Sequence, residues 1–118
     1  MSTRPNPEGP FRRELRDPRA GTATVRIEVR PGAGVRGYSL FVDGIPATMD
    51  SAHRGQASCA GRCGDGSRHT LLYSFNGAPG STLAITISCG GRILCRPREL
   101  RIGEAGPPWQ AERLTFVL

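Results

Sequence analysis

Four cysteines, Cys59, Cys63, Cys89 and Cys95, fall in two close pairs, C-x3-C and C-x5-C, and His69 follows Cys63 by six positions. Thiolates and imidazole nitrogens are the ligands from which tetrahedral zinc sites are built. Two pairs brought together from separate loops, with His69 as a further donor, would therefore give a zinc-stabilised module. Zinc knuckles aim two sulfurs at one point over C-x2-C, and this spacing departs from that. The competing account divides by pair. Cys89 and Cys95 sit in apolar runs where small buried residues belong. Cys59 and Cys63 bound a Gly-rich stretch, Cys59-Ala60-Gly61-Arg62-Cys63-Gly64-Asp65-Gly66, where two thiols could oxidise together or react beside Arg62. We expect a chain without cofactor and with reduced thiols, zinc on Cys59, Cys63, Cys89, Cys95 and His69 being the alternative.

Other chemistry is sparse. His53 and His69 are the only imidazoles, and no nucleophile motif, carboxylate pair or complete metal set surrounds them. His69 reads as a surface histidine at the start of a strand, and Asp43 and Asp65, each before a Gly, read as turn formers. The Gly-rich stretch could cradle a phosphate, but it has no Walker lysine and no helix follows it. The expectation is a protein that is not an enzyme and has no small-molecule substrate. Trp109, behind Pro107-Pro108, is the only Trp. It could serve as a platform for a peptide or sugar, although pinning the last loop onto the core is the simpler reading.

All sixteen basic residues are Arg, against ten acids, for a net charge of +6. Guanidinium forks suit phosphate and carboxylate. The Arg are spread along the chain, however, as the codon usage of a GC-rich bacterial genome would spread them. Seven aromatics and no reading helix make a weak nucleic-acid footprint, so an Arg-mediated polyanion binder is a second reading.

Residues 1–21 carry four Pro and few aliphatics, which predicts a flexible arm. Phe11 and Leu15, spaced i, i+4 beside Arg12 and Arg13, are its anchors for a partner. From Thr22 the period becomes two: Val25, Ile27 and Val29 alternate with polar residues, as on a strand with one buried face. Tyr38 to Val42 alternates likewise and reaches Asp43-Gly44, a hairpin signal, with Ile45 to Met49 returning. Asp50 to Gly66 reads mostly as loop, with a short strand near Gln56 to Cys59. His69 to Phe75, Thr82 to Cys89 and Arg113 to Leu118 again alternate. At Gly90-Gly91 a three-residue turn including Arg92 would put Ile93 and Cys95 on the buried face with Ile87 and Cys89.

This pattern predicts an all-β fold: a small antiparallel, immunoglobulin-like sandwich of seven to eight strands over residues 22–118. The run Phe41-Val42-Asp43-Gly44-Ile45-Pro46 resembles the strand-turn-strand of small bacterial immunoglobulin-like and PEGA-type surface modules, over those six residues, and that resemblance implies a binding or stalk role. No apolar stretch fits a membrane span or signal peptide, so a cytoplasmic protein is expected, unconventional export aside. The function expected is a non-catalytic module that binds a protein partner or a copy of itself through edge strands and loops, with Phe11, Arg12, Arg13, Leu15, Arg62 and Trp109 as contact residues.

Overall fold

The computed structural model describes residues 21–118. Phe11, Arg12, Arg13 and Leu15 lie outside the described residues. The ten strands described are β1 (Thr22–Pro31), β2 (Val35–Val42), β3 (Ile45–Pro46), β4 (Thr48–Met49), β5 (Arg54–Ala60), β6 (Arg68–Gly77), β7 (Thr82–Cys89), β8 (Arg92–Cys95), β9 (Leu100–Arg101) and β10 (Trp109–Val117). They form two antiparallel sheets packed as a sandwich. One runs β9-β7-β1-β5-β4, with β8 also on β7. The other runs β10-β6-β2-β3.

Alternation of side chains accounts for both layers. Val25, Ile27 and Val29 of β1 and Leu83, Ile85 and Ile87 of β7 point inward and are almost fully buried. Leu40 and Val42 of β2, Leu71, Tyr73 and Phe75 of β6, and Phe116 meet them from the other sheet. At roughly 25 cal/mol per Å² of apolar surface removed from water, this core is the main favourable contribution to folding. The intervening residues face solvent, which is why each strand reads with a period of two.

Two turns depend on glycine. At Asp43-Gly44 both residues have positive φ, 51° and 81°, as a two-residue type I′ turn demands. Gly90 and Gly91, at 59° and 81°, close the β7–β8 hairpin in the same way. That tight turn corrects the expected register. Arg92 pairs with Cys89 and Ile93 with Ser88, so Ile93 faces outward and is 51% exposed. The bulge falls one step later, and Cys95 comes opposite Ile87, half-buried. The segment after Gly44 also differs from a single returning strand. Ile45–Pro46 pairs with β2, whereas Thr48–Met49 pairs with β5 of the opposite sheet, the chain crossing at Ala47. The Ala47 amide donates to the Leu40 carbonyl at the crossing.

Candidate functional site

The residues with chemistry collect at one end of the sandwich, where the Asp43-Gly44 turn, the end of β5 and the 61–67 loop meet the start of β6. Each arrives there for a local reason. Asp43 is the first turn residue, Cys59 is the last inward residue of β5, and His69 is the first inward residue of β6. His69 is 6% exposed, which corrects the surface position expected for it. An imidazole buried at this depth must satisfy both ring nitrogens. Nδ1 lies 2.7 Å from Asp43 Oδ2, and Nε2 lies 2.9 Å from Ser67 Oγ. Its ring also packs on Phe116, centroid to centroid 5.7 Å.

The chain of hydrogen bonds continues outward. Ser67 Oγ donates to Asp65 Oδ1 at 2.6 Å, and the Ser67 amide donates to the same oxygen. The Arg62 amide donates to Asp65 Oδ2. These three bonds, the Ser67 hydroxyl first, hold the Asp65 carboxyl down at about 2. Asp43 balances opposing effects. Burial pushes its carboxyl up, but the Thr70 amide and the His69 ring outweigh burial and keep it below the usual range. Cys59 is 2% exposed, and burial together with the nearby Asp43 charge pushes its thiol up to about 11. One ligand atom each from Asp43, Cys59 and His69 lies within 4.8 Å of the other two.

Asp43, His69 and Ser67 stand in the order of a Ser-His-Asp relay, but the Ser67 hydroxyl donates its hydrogen bond to Asp65. A nucleophile relay needs that hydroxyl to donate to Nε2 instead.

The cysteines pair in a way neither reading of their spacing anticipated. Cys63 is bridged to Cys89, 26 residues on, with Cα atoms 5.8 Å apart. This overturns the four-cysteine zinc set, a local Cys59–Cys63 bridge and reduced thiols throughout. Cys89 is buried as expected, and it gains a partner because the 61–67 loop folds back over the end of β7. Cys59 and Cys95 remain free, and burial pushes the Cys95 thiol up as well.

The Gly-rich loop is no phosphate cradle. Its Arg62 and Ser67 amides are taken by Asp65, and the Asp65 and Gly66 amides by the carbonyls of Arg62 and Leu118. Arg62 is exposed on this loop, whose Gly66 amide donates to the Leu118 carbonyl just past the end of β10. Trp109 begins β10 and is 54% exposed opposite Asn76, so it pins nothing into the core. Arg62 and Trp109 are thus held at opposite ends of a strand about 27 Å long at roughly 3.4 Å per residue. Sequence reasoning missed Ser67 and the joint role of Asp43 and His69. The one available signal was that His69 shares the parity of Leu71, Tyr73 and Phe75.

The edges differ as surfaces. Arg92, Arg96, Arg98 and Arg101 are all exposed along β8, β9 and their link, with Glu99 as the one acid among them. The outer face of the six-stranded sheet carries a cleft of about 560 Å³ that includes Arg26, Glu28, Arg54 and Gln56. Among the described residues no helix is long and apolar enough to cross a membrane. Comparison with protein-family models, curated proteins and solved structures finds no match to this chain.

Proposed function

We propose that the chain is a non-catalytic interaction module that binds a protein partner by taking an extended segment of it onto the edge of β10. The observation that carries this reading is the contrast among the four sheet edges. β3 and β4 are two residues each, and the β8–β9 edge is broken at Pro97 and lined with Arg, which are the devices that blunt an edge against pairing. β10 runs nine residues without Pro and bonds only β6 among the described residues. Its outward side chains, Trp109, Ala111, Arg113, Thr115 and Val117, give a partner an aromatic anchor and one charge. A second copy is disfavoured as the occupant, because a twofold pairing centred on β10 sets Arg113 opposite itself.

The immunoglobulin-like reading belongs to the same proposal. The orders β4-β5-β1-β7 and β3-β2-β6-β10 follow the D-E-B-A and C′-C-F-G arrangement of such sandwiches, with the strand in the A position arriving between F and G along the chain.

The test is selection of peptides from a random display library on the immobilised protein. Selected peptides should protect β10 amides from hydrogen exchange and change the emission of Trp109, the chain's only Trp. No enrichment, or protection confined to other strands, overturns the reading.

The exposed Arg of the β8–β9 edge favour a second reading, a binder of nucleic acid or another polyanion. Affinity for DNA or RNA falling linearly with log salt would support it, and no binding at low salt would remove it.

A further inference from the structure

We propose that Asp43, Cys59 and His69 form a binding site for one divalent transition-metal ion of the zinc class. Asp65, Ser67, His69 and Asp43 form one hydrogen-bonded chain, of which His69 alone is buried. At its inner end the Asp43 carboxylate oxygen and His69 Nδ1 face each other beside the buried Cys59 sulfur. A metal ion held there by the three would leave the Nε2 contact with Ser67, and Asp65 behind it, as the outer hydrogen bonds that fix a metal-bound imidazole.

Cys59 supplies the third ligand. Bound to a metal ion it is a thiolate, its thiol proton released, and a sulfur, nitrogen and oxygen set suits zinc and its neighbours. Tetrahedral zinc needs ligand atoms about 3.3–3.7 Å apart, which follows from bonds of roughly 2.0–2.3 Å. The three atoms come from three separate segments and lie within 4.8 Å of one another; Nδ1 and Oδ2, now 2.7 Å apart, must part by about 0.6 Å to admit the ion. Asp43, 36% exposed, is the side from which an ion and a water as fourth ligand enter.

Cobalt(II) titration of the disulfide-intact, chelator-stripped full chain tests this. One equivalent should produce a thiolate-to-cobalt charge-transfer band, and zinc should displace it. The band should vanish in Cys59→Ser and persist in Cys95→Ser. Ser67→Ala, which removes a positioning contact, should keep the band and weaken affinity about 10–100-fold. If circular dichroism shows Cys59→Ser unfolded, Asp43→Asn serves instead: it keeps the thiol at an exposed position and should weaken binding at least as far. No band at one equivalent, a band that survives Cys59→Ser, a band lost in Cys95→Ser, or unchanged affinity in Asp43→Asn overturns the proposal.

Discussion

His69 Nδ1 sits 2.7 Å from Asp43 Oδ2, a contact that ties the β2–β3 turn to the start of β6 across 26 residues. Asp43 therefore does two jobs with its two oxygens: one takes the His69 ring and the other the Thr70 amide. The carboxylate is bound in its ionised form, which gives stability a pH dependence of definite sign.

Both Asp43 and Asp65 are held below the ordinary value of 3.8, Asp65 to about 2. A depressed carboxylate contributes stability that is fully present above its unfolded value and is lost as pH falls through its folded value. Urea unfolding of the wild type should therefore show stability declining from about pH 4 toward pH 2. Asp43→Asn should be less stable at pH 7 and decline less over that window. Parallel curves for the two proteins would remove the Asp43 contact as a source of acid lability.

The Cys63–Cys89 bridge closes a loop of 26 residues, so chain entropy alone assigns it about 3.5 kcal/mol. Reduction, or paired Cys63→Ser and Cys89→Ser, should lower unfolding free energy by about that amount in urea melts. The paired variant should not respond further to reduction, because Cys59 and Cys95 are unbridged.

Ile87 and Ile93 separate burial from residue type, since the first is fully buried and the second 51% exposed. Ile87→Ala should cost about 2–5 kcal/mol and Ile93→Ala within about 0.5 kcal/mol. Equal costs would mean that Ile93 shares the buried face with Ile87.

Ser81 is 2% exposed, and its hydroxyl has no hydrogen-bond partner among the described residues. An unsatisfied buried hydroxyl costs free energy, so Ser81→Ala should be neutral or stabilising by about 1 kcal/mol. A clear loss of stability in thermal melts would reveal a partner for the hydroxyl.

The legible parts of this fold were those written locally. Val25, Ile27 and Val29 announce β1, and Asp43-Gly44 announces its turn, because a pleat and a positive φ each leave a mark within a few residues. The bridge from Cys63 to Cys89 left none, because it depends on how the 61–67 loop lies against β7. His69 was misjudged for a related reason: a polar residue at a strand start is usually wet, and only the remote Asp43 and the neighbouring Ser67 make its burial tolerable. No local signal told that Thr48 and Met49 would leave the returning strand and join the other sheet.

That crossing at Ala47 has a mechanical consequence. A chain that leaves one layer and enters the other within three residues leaves no slack at that corner, so the spacing of the two layers is set there by a single residue.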